Sequence, residues 1–267
     1  MIQLAIVGLG RAGRARLRAL EDHPRARCVA TVSRRSGPSL ESVLARPGVH
    51  AVLVCTENAA HPEQVHAALD AGKHVAVEFP VASDAATVRA LHAQADAAGR
   101  VLHTELIGQL TGRFRGMQQV IGDAARVDWT FSGGFDGWIA AEAAAGHHAV
   151  LATARLHSLW TLVGPLTLEQ ATLDRSADGY RLSVQLRGRI PATLVEERRV
   201  GGSRRGEVVL TGGSGPLSPP GLPSPPLFHA DLDVFLDRIT SGGPGYVPPS
   251  QVIAVAELCD AITASVA

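Results

Sequence analysis

Short apolar runs alternate with longer amphipathic segments in the N-terminal part of the chain. Runs without polar positions are typical of strands buried on both faces of a sheet, and the segments between them have helical spacing. Strands that alternate with helices predict a doubly wound α/β domain with a parallel sheet. The predicted strands are residues 2–7, 28–32, 49–55, 74–77 and 101–104, and the predicted helices include 14–20, 62–71 and 84–98.

The apolar pattern changes to a period of two after residue 123. Leu182, Val184 and Leu186 alternate with polar residues, as expected for a strand with one packed and one free face. We therefore predict a Rossmann domain at residues 1–122 and a second, α+β domain at 123–267 with a mostly antiparallel open sheet. Helices are expected around 157–162, 230–239 and 250–265, and an exposed irregular loop at 212–226, which holds six prolines and four glycines.

Charge, hydropathy and cysteine content narrow the classes of function. The 267 residues include 25 basic and 25 acidic side chains, so bulk charge favours no nucleic-acid partner. No apolar run approaches the ~18–20 residues of a membrane span, and Met1 leads into an apolar strand without signal-peptide features. We therefore expect a cytoplasmic protein without a membrane partner. Three distant cysteines and the lack of metal-ligand spacing predict reduced thiols and no metal.

Gly8, Gly10 and Gly13 form a G-x-G-x-x-G pattern between the first predicted strand and the first predicted helix. In that context the glycines let the backbone turn and approach a pyrophosphate, and the helix N-terminus stabilises the anion. The motif therefore predicts a dinucleotide site that includes Arg11 and Ala12. A tight structural turn is the alternative interpretation.

The second predicted strand lacks the acid that an NAD site places about twenty residues after the glycines. It ends instead in Ser33, Arg34 and Arg35, whose hydroxyl and guanidinium groups suit a 2′-phosphate. We therefore predict NADPH rather than NADH as the cofactor. The alternative is that both arginines are solvated loop charges.

Several motifs resemble the glucose-fructose oxidoreductase and inositol dehydrogenase superfamily. They are the glycine motif, the strand exit Cys55-Thr56-Glu57 followed by His61, and residues 72–80, Gly-Lys-His-Val-Ala-Val-Glu-Phe-Pro. Residues 32–35, 99–105 and parts of 155–173 are more similar to the biliverdin reductases within that superfamily. The resemblance implies a two-domain NAD(P)-dependent oxidoreductase with Cys55, Thr56, Glu57, His61 and Glu78 in its cofactor site. His61 alternatively serves the start of a helix.

The resemblance also identifies one altered position. The superfamily usually has Glu-Lys-Pro after its fourth strand, and the lysine serves as proton donor or acceptor at the substrate carbon. Here the triplet is Glu78-Phe79-Pro80, which disfavours the usual sugar or inositol dehydrogenation. Biliverdin reductases also lack the lysine but typically carry a tyrosine at this position. Thr153 replaces an acid of the superfamily, whereas His157, four residues on, is retained.

Four residues are candidates for catalysis. Glu78 and Glu105 end strands at the carboxyl edge of the predicted sheet, where α/β proteins bind ligands. Arg155, which biliverdin reductases share, and His157 lie in an apolar stretch where an unpaired charge is costly. We predict that Glu78 positions the nicotinamide, that Arg155 binds a substrate carboxylate, and that Glu105, His157 or water supplies a proton. Neutralised or solvated acids are the alternatives for Glu78 and Glu105.

The leading interpretation is an NADPH-dependent reductase that transfers hydride to the central methine carbon of a linear tetrapyrrole such as biliverdin, giving bilirubin. Trp129, Phe131 and Trp138 then form either an aromatic platform for this planar carboxylate or part of the core. A second interpretation is an imine reductase similar to the thiazolinyl imine reductases, and a third is a non-catalytic NADP(H)-binding sensor. A monomer and a homodimer both stay open.

Overall fold

The computed structural model describes residues 1–34 and 37–267, so Arg35, a predicted cofactor contact, lies outside the described residues. The α-helices are α1 (Arg11–Leu20), α2 (Leu40–Leu44), α3 (His61–Asp70), α4 (Ala85–Ala97), α5 (Gly112–Val120), α6 (Gly137–Ala144), α7 (Thr153–Val163), α8 (Leu227–Ser241) and α9 (Pro249–Ser265). The strands are β1 (Ile2–Val7), β2 (Ala26–Val32), β3 (Ala51–Val54), β4 (His74–Glu78), β5 (Leu102–Glu105), β6 (Ala124–Gly134), β7 (Thr167–Ser176), β8 (Gly179–Arg187), β9 (Pro191–Arg199), β10 (Arg205–Gly212) and β11 (Gly215–Pro216).

The chain forms two compact units, and each contains two separate segments. The first unit comprises Met1–Leu110 and Ser224–Val252, and the second comprises Thr111–Pro223 and Ile253–Ala267. This division differs from the single boundary predicted after residue 122, because the chain returns to the first unit with α8. The apolar face of α8 explains the return, since Phe235 and its neighbours are buried in the same core as the inner strands.

The first unit contains a parallel five-stranded sheet in the order β2-β1-β3-β4-β5. The predicted doubly wound domain is therefore confirmed. Because the strands are parallel, their carboxyl ends meet at one edge of the sheet. This edge brings together predicted site residues from five strand ends, namely Gly8, Ser33, Cys55, Glu78 and Glu105.

The second unit contains a six-stranded sheet in the order β11-β10-β6-β9-β8-β7. All neighbouring pairs are antiparallel except β6 and β9, which are parallel, so the predicted mostly antiparallel sheet is confirmed. One face packs against α5, α7 and α9, and the other carries polar side chains and ion pairs such as Arg126–Asp128 and Arg187–Glu169. Among the described residues, no helix is long and apolar enough to cross a membrane.

The proline-rich segment predicted as an exposed loop contains β11 and then runs against α5. A Cβ atom on Gly112 would lie 1.7 Å from the carbonyl oxygen of Leu222, and one on Gly116 would lie 2.2 Å from that of Pro220. These two glycines are one helical turn apart, so they form a bare stripe on α5. The missing side chains let the backbone of the extended segment approach the helix.

We expect Gly112→Ala and Gly116→Ala each to lower the free energy of unfolding by about 1–3 kcal/mol, because the new methyl group overlaps the neighbouring backbone. In an exposed helix the same change would instead raise stability by about 1 kcal/mol. Urea unfolding shows whether the free energy of unfolding falls or rises. Gly122→Ala is the control, since a Cβ there meets no described atom within 4 Å. A stability gain at Gly112 or Gly116 would contradict the close approach.

Candidate active site

The glycine motif forms a tight turn between β1 and α1. Gly8 has a φ of +93°, and a Cβ atom there would lie 2.5 Å from the carbonyl oxygen of Cys55. A Cβ on Gly13 would lie 1.8 Å from the carbonyl oxygen of Gly8, so both positions require glycine.

The space around Gly10 is open, unlike that around Gly8 and Gly13, and could accommodate an anion. A Cβ on Gly10 would meet no described atom within 4 Å, and Gly10, the N-cap of α1, provides no side-chain cap for the described helix. Arg11 and Ala12 occupy the first turn. The N–H groups of this turn therefore face open space at the positive end of the helix, as binding of a pyrophosphate requires.

Arg34 and Glu57 form an ion pair at the same edge of the sheet. Arg34 follows β2, and Glu57 follows β3. Both side chains reach solvent, with exposed fractions of 79% for Arg34 and 46% for Glu57. Ser33, next to Arg34, is half-buried. The predicted guanidinium is thus present at the edge, but a carboxylate already balances its charge.

His61 connects two loops of this edge. The ring is 1% exposed, and Nδ1 lies 2.7 Å from the carbonyl oxygen of Pro80 while Nε2 lies 3.2 Å from that of Thr56. The Thr56 hydroxyl in turn donates to Gln64 at 2.7 Å. The imidazole therefore holds the loop after β3 against the loop after β4, and a direct cofactor contact of His61 stays a prediction.

Glu78 and Glu105 are register partners at the last positions of β4 and β5. Glu78 Oε1 accepts a hydrogen bond from Arg16 Nε at 2.9 Å. Glu105 is 2% exposed, and its Oε1 accepts from the Ile107 N–H at 2.9 Å. Burial and the nearby charge of Glu78 raise the pKa of Glu105 well above its ordinary value. Glu105 therefore keeps its proton to higher pH than an exposed glutamate and is suited to donate it.

The buried network that fixes Glu78 through Arg16 could not be recognised from the sequence. Arg16 Nη1 donates to Asp231 at 2.6 Å, and Asp231 also accepts from His103 Nε2 at 2.9 Å and from the Tyr246 hydroxyl. Although burial opposes ionisation, Arg16, His103 and Tyr246 hold the pKa of Asp231 far below its usual range. Arg16 is thereby held between Asp231 and Glu78, and His103 is a buried, hydrogen-bonded histidine of the same network.

In the second unit, Arg155 is buried beside a carboxylate. Its Nε lies 2.7 Å from Glu196 Oε2, and Glu196 Oε1 accepts from Arg198 Nε at 2.6 Å. Both guanidinium groups lie over the ring of Phe131, with Cζ 4.2 Å (Arg155) and 4.8 Å (Arg198) from its centroid. Glu196 and Phe131 are thus the partners of the Arg155 guanidinium in the structure, and its contact with a substrate carboxylate stays a prediction.

Two further expectations for the second unit concern His157 and the aromatic residues. His157 is 1% exposed, and burial lowers its pKa to about 3, which favours the neutral imidazole; its role as a proton source stays a prediction. The aromatic platform is not formed, because Phe131 is buried beneath the arginines and Trp129 packs on the core face of the sheet. Trp138 is separate from them on α6 and is 58% exposed.

A hollow of about 160 Å³ opens in the second unit where β6 and β9 end and β10 begins. Arg199 and Arg205 line it together with Ser132, Ser203 and Glu197. The Arg199 side chain is 71% exposed and pairs with Glu197. Two guanidinium groups against one carboxylate leave an excess of positive charge, which suits a carboxylate ligand.

Residues 2–106 match the oxidoreductase family with an NAD-binding Rossmann fold, Gfo/Idh/MocA. Biliverdin reductase A of Mus musculus is 31% identical over 253 residues, which cover 88% of this chain and 85% of that protein. The chain belongs to the Gfo/Idh/MocA oxidoreductase family. This Gfo/Idh/MocA protein is also 31% identical to biliverdin reductase A of Homo sapiens over 216 residues, covering 74% of the chain and 72% of the relative.

Solved structures have the same fold as this Gfo/Idh/MocA protein. Biliverdin reductase from Synechocystis sp. PCC 6803, solved in complex with biliverdin and NADP+, superimposes with a TM-score of 0.83 at 22% identity, covering 99% of both chains. Family membership makes the chain an NAD(P)H-dependent oxidoreductase. The open turn at Gly10 and the N-terminus of α1 are where its residues fit the cofactor diphosphate.

Proposed function

We propose that the chain is an NADPH-dependent biliverdin reductase, which reduces the central methine bridge of the tetrapyrrole to give bilirubin. The observation that carries the proposal is the burial of Glu105, which raises its pKa and favours its protonated form, at the register position of Glu78, the residue before Phe79, where the superfamily usually has a lysine. Oxidation of an alcohol needs a base at the substrate, whereas reduction of a conjugated carbon needs an acid. The names of the mouse and human relatives supply the substrate class.

The residues of the chain would divide the work as follows. NADPH, when bound, supplies the hydride. The turn at Gly8–Gly13 and the N-terminus of α1 hold its diphosphate, and Glu78, fixed by Arg16, positions the nicotinamide end. Glu105 gives its proton to a pyrrole nitrogen of the substrate, so that one hydride and one proton are added in total. Water then returns the proton to Glu105.

Arg199 and Arg205, which line the hollow within the second unit, are a further candidate pair beside Arg155 for binding a carboxylate of a ligand. Arg199→Ala and Arg205→Ala are each expected to raise the KM for biliverdin about tenfold with little change in kcat, because they remove a charge-assisted hydrogen bond remote from the reacting carbon. The effect should shrink in high salt. Arg187→Ala is the control, since Arg187 is an exposed arginine of the same sheet that pairs with Glu169. Equal KM values for all three variants would contradict this role.

The assay of the proposed activity is direct. Purified protein, NADPH and biliverdin are expected to lose the long-wavelength absorbance of biliverdin and to form bilirubin. Absence of turnover with both NADPH and NADH would refute the bilin assignment. In that case, turnover of a cyclic imine would favour an imine reductase, and binding of NADP+ without reduction of either substrate would favour a sensor.

A further inference from the structure

The peptide bond that follows Glu105 is held by a tyrosine from a distant part of the chain. Tyr246 lies between α8 and α9, in the segment that returns to the first unit. Its hydroxyl accepts a hydrogen bond from the Leu106 N–H at 2.8 Å and donates one to Asp231. The peptide that joins Glu105 to Leu106 is therefore tied to a residue 140 positions further along the chain.

This peptide also belongs to the turn that orients the Glu105 carboxyl. Glu105 Oε1 accepts a hydrogen bond from the Ile107 N–H at 2.9 Å, two residues along the chain. The direction of the Ile107 N–H depends on the backbone torsions of Leu106, whose own N–H is held by Tyr246. A rotation of the Leu106 peptide would therefore move the Glu105 carboxyl and its donor together.

Asp231 connects this arrangement to Glu78 through its second oxygen. Asp231 Oδ1 accepts from the Tyr246 hydroxyl, whereas Oδ2 accepts from Arg16 Nη1 at 2.6 Å. Arg16 Nε in turn donates to Glu78. One buried carboxylate therefore anchors the residues that hold Glu78 and Glu105, which are register partners at the ends of β4 and β5.

The titratable groups around Glu105 come from every element near its strand end. They are Glu78 on β4, Arg16 on α1, Cys55 after β3, His103 on β5, Asp231 on α8 and the Tyr246 hydroxyl. The charges of Glu78 and Asp231 favour the protonated form of Glu105, and the charge of Arg16 opposes it. The hydrogen bond from the Ile107 N–H also favours the carboxylate, so the proton of Glu105 depends on the geometry of the turn.

We propose that Tyr246 is a positioning residue for Glu105, which acts through the Leu106 peptide and is anchored by Asp231. The Tyr246 hydroxyl transfers no proton to the substrate. It keeps the Glu105 carboxyl in one orientation, so that the acid does not have to be reoriented before it gives its proton. This inference rests on the proposed function, in which Glu105 supplies the proton.

Tyr246→Phe is the test, because it removes the hydroxyl and keeps the ring. We expect kcat for biliverdin reduction to fall about tenfold, with a change of less than about twofold in the KM for biliverdin. The pH at which kcat falls should move upward, because a displaced Ile107 N–H no longer stabilises the Glu105 carboxylate. Carbon-13 NMR titration of the Glu105 carboxyl should show the same upward shift without turnover. Glu105→Gln identifies the signal, which is absent from that variant.

Tyr180→Phe is the matched control, because Tyr180 is the other of the two tyrosines in the chain. It is buried in the second unit, where its ring packs edge-on against Phe135 and His148. This variant should leave unchanged both the pH at which kcat falls and the titration of Glu105. Both tyrosine variants are measured below their melting temperatures, as followed by circular dichroism, so that unfolding does not lower kcat.

The outcomes separate this inference from the proposed function. The positioning role is refuted if Tyr246→Phe has the native kcat and the native titration of Glu105. A lower kcat with an unchanged titration would also refute it, because the tyrosine would then support the fold without setting the acid. If the native chain reduces no biliverdin, the substrate assignment fails, and the NMR titration decides the role of Tyr246. An upward shift would then support that role, and an unchanged titration would refute it.

Discussion

Glu105→Gln is expected to lower kcat for biliverdin reduction by about 100-fold or more, because glutamine has no acidic proton to donate. The amide oxygen can still accept the hydrogen bond from the Ile107 N–H, so folding and cofactor binding should be retained. The kcat of the native enzyme should also fall as pH rises, since Glu105 is protonated below its raised pKa and loses its proton above it. The measurement is kcat as a function of pH for both proteins.

Two comparisons make the Glu105 result specific. Glu105→Asp keeps an ionisable proton at a shifted position and should recover part of the lost rate. The variant with glutamine should have a kcat that does not fall with rising pH in the range where the native enzyme loses activity. If Glu105→Gln has the same kcat and the same pH profile as the native enzyme, Glu105 has no part in the proposed chemistry and water is the proton source.

Asp231→Asn is expected to lower the free energy of unfolding by about 3–5 kcal/mol, because it breaks a buried ion pair and leaves Glu78 as the one remaining carboxylate at the Arg16 guanidinium among the described residues. Arg16 is 3% exposed and Asp231 is fully buried, so solvent cannot replace the lost charge. The stabilisation from Asp231 is present above the pKa of an unfolded aspartate and is lost as pH falls toward the lowered folded value. The free energy of unfolding should be measured by urea unfolding followed by circular dichroism. Tryptophan fluorescence would not report on the first unit, because all three tryptophans lie in the second unit.

Asp233→Asn is the matched control for this loss of stability. Asp233 lies two residues further along α8, and its ion pair with Arg25 is at the surface, with 40% of the Asp233 side chain exposed. We expect a change of less than about 1 kcal/mol. If the two variants lose the same free energy, the buried ion pair does not have the stabilising role assigned to it.

The fold could be predicted from the sequence because its elements depend on local patterns. Continuous apolar runs and alternating runs have different periods, so both sheets were recognisable without a structure. The parallel pairing of β6 with β9 was not predicted, since strand order within a sheet is set by packing of distant segments. The return of α8 to the first unit was missed for the same reason.

The site was predicted less completely, as Arg155 and Arg16 illustrate. Arg155 was recognised as a charge in need of a partner, but its partner Glu196 has no recognisable spacing to it in the sequence. The partner of Arg16, Asp231, lies 215 residues away, so no spacing rule connects them. The sequence indicates the burial of Asp231 only through its position one helical turn before Phe235, on the buried face of α8.

Glu57, which follows β3, was recognised as a cofactor residue, but its ion pair with Arg34 depends on strand order. In the sequence, cations instead of an acid follow β2. Only the arrangement β2-β1-β3 makes the acid after β3 a neighbour of those cations across the glycine turn.

The return of residues 224–252 to the first unit sets an order for synthesis at the ribosome. Arg16 emerges among the first residues, whereas Asp231 and Tyr246 emerge only after the whole sheet of the second unit has been translated. The nascent first unit therefore lacks the Asp231 partner of Arg16 and has an uncovered apolar surface while most of the chain is made. Translation must pass residue 246 before the Arg16–Asp231–Tyr246 network can close.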